Sequence, residues 1–185
     1  MSGKSLDDIL APFEPTPKEA YNTILEDLGE LKPGEIYLEL GAGTFDLGFI
    51  AVKKYHTAKA FGIEMDEKLV NEVKGRIKKE VLENRIKIFL GNALKPTPEM
   101  KKIMRKADLV YIFLTPGGNL MVEPVLKEYL KDVARVVSYN DWIDGWYYSR
   151  VKDVYAPSFF RHSFILYRMK EVREEMRRQK SIKIR

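Results

Sequence analysis

The chain has 185 residues, 45% of them hydrophobic and 32% charged, which is enough for one domain with a substantial core. The absence of Cys excludes disulfides, thiolate metal sites and a Cys nucleophile, and two His, His56 and His162, are too few and too scattered for a metal centre built on imidazoles. No apolar stretch approaches the length of a membrane span, and a net charge of +5 is modest, so any nucleic-acid role must rest on where the charge lies.

The residues from Met1 to Leu10 lack the apolar core of a signal peptide, so a cytoplasmic protein is expected. Pro12, Pro15 and Pro17 then force an extended segment. Thr16-Pro17-Lys18-Glu19 places Thr at an N-cap, Pro at N1 and Glu at N3, a capping box that predicts a helix to about Leu28, closed by Gly29 and Pro33-Gly34. Ile36, Leu38 and Leu40 alternate as a strand of a buried sheet that ends in Gly41-Ala42-Gly43. Phe45, Phe49 and Val52 mark one face of a following helix. Such a strand-glycine-helix turn is either a plain connection or, at the carboxyl edge of an open parallel sheet, a site for a nucleotide-like cofactor.

Two residues indicate which cofactor. A dinucleotide fingerprint needs a third Gly or Ala three residues after Gly43, and that position is Asp46, an acid that would repel a pyrophosphate. The strand also ends in Glu39, a carboxylate suited to an ammonium group or to loop amides. Both favour S-adenosylmethionine over a nicotinamide dinucleotide.

A second strand, Ala58 to Ile63, ends in Glu64, about twenty residues past the glycine turn, where an acid can accept hydrogen bonds from both ribose hydroxyls or simply sit at a strand end. A charged helix from Asp66 to about Leu82 and a third strand, Arg85 to Leu90, follow. Asn92 after that strand offers the donor and acceptor needed to read an adenine edge, or else only forms the turn. Pro96 to Pro98 starts a short helix, and Asp108 to Leu114 predicts a central strand emptying into a Thr115-Pro116-Gly117-Gly118-Asn119 loop. A helix from about Met121 to Asp132 and a fifth strand, Arg135 to Ser138, complete the alternation. The aromatic stretch Tyr139 to Tyr148 precedes two further strands, Arg150 to Tyr155 and Phe160 to Arg168, and a charged tail over 169–185 with a helical beginning. The expected fold is α/β, a Rossmann-like, doubly wound, seven-stranded mixed sheet with a C-terminal antiparallel pair.

The residues from Pro12 to Arg168 carry a resemblance through Pro12 to Pro17, Glu39 to Gly43, Gly62 to Glu64, and Ala134 to Ser138 with Trp146 following. The chain resembles the class I S-adenosylmethionine-dependent methyltransferases, and more narrowly the small archaeal protein-lysine methyltransferases and their mitochondrial relatives. The resemblance implies that Thr16 and its proline segment fold over the methionine end of S-adenosylmethionine. It further implies that Glu39, Gly41 and Gly43 hold the amino acid part, Glu64 takes the ribose, and Asn92 with Ala93 flanks the adenine. Those relatives usually carry Asp-Gly-Arg after the second glycine and a Tyr in the proline segment, where this chain has Thr44-Phe45-Asp46 and Phe13.

Methyl transfer from a sulfonium is an in-line displacement in which alignment carries much of the rate. A lysine must arrive neutral, which at pH 7 costs about 4 to 5 kcal/mol from a pKa near 10.4, and an apolar channel lowers that cost. Phe13, Leu114, Thr115, Tyr139 and Trp142 are the candidates for such a channel; the catalytic residue is not legible. The substrate read first is a protein lysine, with no membrane and no metal. One alternative is a methyltransferase acting on RNA or a small molecule, with the basic stretch Arg173 to Arg185 as phosphate contacts. Another is a non-catalytic binding module of the same fold. The abundance of Lys and Glu, with Gln179 the one glutamine, matches the bias of heat-adapted proteins, and together with the resemblance suggests a thermophilic archaeal source.

Overall fold

A computed structural model describes residues 14–155 and 161–183. The residues from Met1 to Leu10, Pro12 and Phe13 of the proline segment, and Phe160 at the expected start of the last strand lie outside the described residues.

Seven strands form one sheet: β1 Ile36–Leu40, β2 Lys59–Glu64, β3 Ile86–Leu90, β4 Leu109–Ile112, β5 Arg135–Tyr139, β6 Arg150–Tyr155 and β7 Arg161–Arg168. Their spatial order is β3-β2-β1-β4-β5-β7-β6, parallel through β5, with β7 antiparallel to both β5 and β6. The expected mixed sheet with its C-terminal antiparallel pair is thus the observed one. Because every strand side chain alternates between faces, Tyr37 and Tyr111 join one core, and Leu38, Leu40, Val110 and Ile112 the other. Helices α1 Asp46–Lys53 and α2 Glu67–Lys79 cover the first face through Phe49, Val52, Val70, Val73 and Ile77. Helices α3 Pro98–Met104, α4 Pro116–Tyr129 and α5 Met169–Lys183 cover the second through Met100, Met104, Val122, Leu126 and Val172. Burial on both faces is what makes β4 a continuous apolar run.

At two places the local structure differs from the expected one. The capping box at Thr16 does not form: the N-cap is Pro17, which has no side-chain acceptor, and a 3-10 turn over Lys18–Ala20 opens the segment. Thr16 instead meets the Tyr111 hydroxyl at 2.9 Å, so a contact across the sheet replaces the local one. The chain then widens into a π-helix over Thr23–Leu28, with Ala20, Ile24, Leu25 and Leu28 all fully buried. The second difference is at the Thr115 to Asn119 loop, which is the first turn of α4. Thr115 caps it by accepting from the Gly118 amide at 3.1 Å, with Pro116 at N1. Two glycines argue against helix by propensity, and the cap with the burial of Gly118 and Asn119 overrides them.

Candidate functional site

The strand order reverses between β1 and β4, and in open α/β sheets ligands bind at the carboxyl ends of the strands at such a switch point. A cavity of about 410 Å³ lies there. Its wall comes from the turns after β1, β2, β3 and β4, and from Glu14, Pro15, Thr16 and Tyr21 of the N-terminal segment. Thr16, Glu39, Gly41, Gly43, Glu64, Asn92 and Ala93, widely separated in the chain, all line it.

The turn after β1 is held by its own amides. Gly41 and Gly43 take φ of 74° and 52°, which lets the chain reverse over β2. The amides of Gly41 and Ala42 donate to the Ile63 carbonyl at 2.9 and 3.1 Å, and that of Gly43 to Glu64 Oε2 at 2.8 Å. The glycines therefore offer a ligand close approach rather than free donors. Phe45 follows at φ 57° and turns its ring into the core beneath Gly48, where a Cβ would lie 2.3 Å from that ring. Gly48 thereby makes room for the Phe45 ring, which also lies against Gly62 of β2.

Glu64 is more occupied than its sequence position suggests. Besides Gly43, it accepts from the amides of Met65 and Asp66 at 2.7 and 2.9 Å through Oε1. Both oxygens are thus fixed in place: Oε1 already accepts twice, and Oε2, with Gly43 alone, keeps a second lone pair for a further donor. Asn92 Oδ1 accepts from the Leu94 amide at 2.7 Å, so the turn-forming reading of Asn92 holds while its side chain also faces the cavity.

The channel candidates separate. Leu114 lines the cavity, and so does Phe113, which the sequence reading did not single out although it lies in the same apolar run. Thr115 caps α4. Tyr139 lies behind Phe113, edge to face at 4.1 Å between ring centroids, and its hydroxyl bonds His162 Nδ1. Trp142 stands outside the cavity, 47% exposed. Phe13 lies outside the described residues.

No family model matches the chain. It is 30% identical over 135 residues, 73% of its length and 80% of the relative's, to a protein-lysine N-methyltransferase of Saccharolobus islandicus. The chain belongs to the class I S-adenosylmethionine-dependent methyltransferases. Among solved structures it resembles an RNA methyltransferase of Salinibacter ruber in complex with S-adenosyl-L-homocysteine. That match has a TM-score of 0.74 and 22% identity, over 85% of this chain and 95% of that one. It also resembles a precorrin-6y C5,15-methyltransferase of Geobacter metallireducens, with a TM-score of 0.64 and 17% identity over 87% and 94% of the two chains. At such identities these likenesses show the fold of the methyltransferase and no more.

S-adenosylmethionine is the cofactor of this methyltransferase fold, and the cavity suits its charge. The donor carries an ammonium, a sulfonium and a carboxylate, and is cationic on balance. The lining residues include Glu14, Glu39, Asp46, Glu64 and Asp66, and no Lys, Arg or His. Glu39 is 5% exposed, with Oε2 accepting from the Tyr37 hydroxyl at 3.0 Å. Burial, with the nearby Asp46 and Glu64 charges, pushes its carboxyl well above the usual range against the pull of that hydroxyl. Tyr21 on the same wall is pushed up to about 12, first by burial and then by Asp46 and Glu39. Asp46 is itself held by Arg76 at 2.5 Å, whose guanidinium lies 3.8 Å over the Phe49 ring. The site is thus acid-rich at its surface, with its compensating cation set back on α2. Among the described residues no cluster of His, Cys, Asp and Glu could hold a metal ion, and no helix is long and apolar enough to cross a membrane.

Proposed function

We propose that the chain transfers methyl groups from S-adenosylmethionine to lysine side chains of other proteins. The observation that carries the lysine reading is the likeness, along 80% of its length, to the Saccharolobus protein-lysine N-methyltransferase. When bound, the cofactor supplies an electrophilic methyl on a positively charged sulfur. Glu39, desolvated at the end of β1, takes the ammonium of the methionine part, with Gly41 and Gly43 allowing close approach. Glu64 receives the ribose through the lone pair that Gly43 leaves on Oε2, and Asn92 with Ala93 flanks the adenine. Thr16, with Glu14 and Pro15, covers the methionine end. Phe113 and Leu114 form the apolar end of the cavity, where an arriving amine loses water and is more easily neutral.

Two substitutions test the cofactor contacts. Glu64→Gln puts an amide donor against backbone N–H groups, so we expect S-adenosylmethionine binding to weaken by about 1.5 to 3 kcal/mol and the empty protein to lose about 1 to 2 kcal/mol of stability. Calorimetric titration and thermal melts read the two losses, and an unchanged dissociation constant in the folded variant would remove Glu64 from the site. Thr16→Ala deletes the hydroxyl that meets Tyr111 and is expected to weaken cofactor binding by roughly 1 kcal/mol, whereas Thr16→Ser keeps it. Melts with and without cofactor check this: the Ala variant should lose more when cofactor is present, and an equal loss in both would leave Thr16 a purely structural contact.

The reaction itself is tested by incubating the protein with methyl-labelled S-adenosylmethionine and cell extract. Label in protease-sensitive material, recovered as methyl-lysine after hydrolysis, is expected. Label in nuclease-sensitive material would replace the lysine reading with RNA, and no label with bound cofactor would leave a binding module.

A further inference from the structure

We propose that the loop over 140–148 is the docking surface for a lysine-rich, positively charged polypeptide segment, with Trp142 and Tyr148 receiving a cationic side chain near the methylated one. This rests on the protein-lysine reading and identifies how that substrate is held. The rings of Trp142, Tyr147 and Tyr148 are 47%, 53% and 46% exposed. Trp142 and Tyr148 meet edge to face at 4.8 Å between centroids, and Tyr147 stacks on Tyr148 at 6.2 Å. They stand on a fixed base. Ile143 and Trp146 are buried, the Ile143 amide donates to the Tyr167 hydroxyl at 2.9 Å, and Trp146 Nε1 donates to Glu123 at 2.8 Å. Exposed aromatic rings on a rigid, anchored loop form a preorganised contact surface.

Position and charge say what the surface takes. The loop follows β5 and is tied to the first turn of α4 by Asn119 Nδ2, which donates to the Asp141 carbonyl at 2.9 Å. Helix α4 in turn follows Phe113 and Leu114 of the cavity wall, so the loop flanks the apolar end of the cavity. The chain carries 32 Lys and Arg in 185 residues, yet residues 113–126 and 139–149 contain none. Glu123 is neutralised by Lys127 at 3.0 Å, which leaves Asp141 and Asp144 as the acids of the loop. The cavity lining also lacks basic side chains. On a protein of net charge +5, the reaction face is therefore locally acidic and aromatic. Such a face attracts cations by its field and holds them over ring faces. A nucleic-acid surface needs the reverse, a basic groove tracking phosphates beside the stacking rings.

The test is fluorescence anisotropy with two labelled probes, an unstructured lysine-rich peptide and a single-stranded oligouridylate. Each is titrated with the full chain saturated with S-adenosylhomocysteine, as wild type, as Trp142→Ala with Tyr148→Ala, and as Asp141→Asn with Asp144→Asn. We expect wild type to bind the peptide more tightly than the RNA, and each variant to bind the peptide about fivefold more weakly. Calorimetric affinity for S-adenosylhomocysteine should stay unchanged, showing that the variants are folded. Peptide binding that is absent in wild type, or that the aromatic substitutions leave unaltered, or tighter RNA binding, would overturn the docking surface. Methyl transfer to the same peptide keeps the two levels distinct. Binding through these rings without transfer to lysine retains the surface and removes the lysine reading, whereas transfer untouched by the substitutions retains that reading and removes the surface.

Discussion

Glu39→Gln is expected to weaken S-adenosylmethionine binding about 100-fold while leaving the empty protein as stable as wild type or more so. The two effects share one cause. In the empty protein a desolvated carboxylate with a single hydroxyl partner is costly, and its folded pKa lies above its unfolded value of about 4.3. A raised carboxyl binds more protons folded than unfolded, so its contribution to stability is fully present below the unfolded pKa and is lost as pH rises through the folded one. Glutamine removes that loss. With an ammonium beside it the balance inverts, because a buried charge pair is worth about 3 kcal/mol more than a charge facing an amide. Affinity of wild type should accordingly rise with pH, by at most about tenfold per unit, until Glu39 is ionised without help, and then level off. Calorimetry in buffers of different ionisation enthalpy reads the proton released on binding. The variant should release none from this site, and a wild-type affinity flat from acid to neutral pH would remove Glu39 from the ammonium contact.

Arg135→Ala is expected to cost about 3 kcal/mol of stability, lowering the melting temperature by roughly 6 to 12 °C, with cofactor affinity unchanged. Arg135 is 5% exposed at the start of β5, the end of the sheet away from the cavity. Its guanidinium pairs with Glu35 at 2.6 Å and donates to the Glu30 carbonyl at 2.8 Å, joining β5 to the entry of β1. Removing it takes the cation from Glu35, which keeps the Lys32 amide at 2.9 Å, and the donor from the Glu30 carbonyl. The stretch Ala134 to Ser138 that carries part of the family resemblance is thus structural at this residue. A variant that melts like wild type but binds cofactor more weakly would contradict that division.

The sheet was legible because its signal is periodic: alternation in β1 and β3 and the apolar run of β4 reflect burial, and Gly41, Glu64 and Gly91 mark the ends of β1, β2 and β3. What did not read correctly were positions where a distant partner outweighs a local pattern. Three Thr-Pro dipeptides look alike in sequence. Thr97 and Thr115 cap α3 and α4, with Thr97 accepting from the Met100 amide at 3.3 Å, while Thr16 meets Tyr111, 95 residues away. The same holds at the site. Glu39, Gly41, Gly43, Glu64, Asn92 and Ala93 could be read as neighbours because each lies at or just past a strand end, but the amides that bind both oxygens of Glu64, and the Arg76 that neutralises Asp46 from α2, depend on the packed turn. Phe113 was missed because an apolar residue at the end of a buried strand looks like core, and only the reversal of strand order beside it opens a cavity.

The most direct measurement is a crystal structure of the protein soaked with S-adenosylmethionine. Density for the cofactor is expected in the 410 Å³ cavity, with its ammonium at Glu39, its ribose hydroxyls at Glu64, and its adenine beside Asn92 and Ala93. Cofactor seated elsewhere, or in this cavity with its ammonium away from Glu39, would contradict the account.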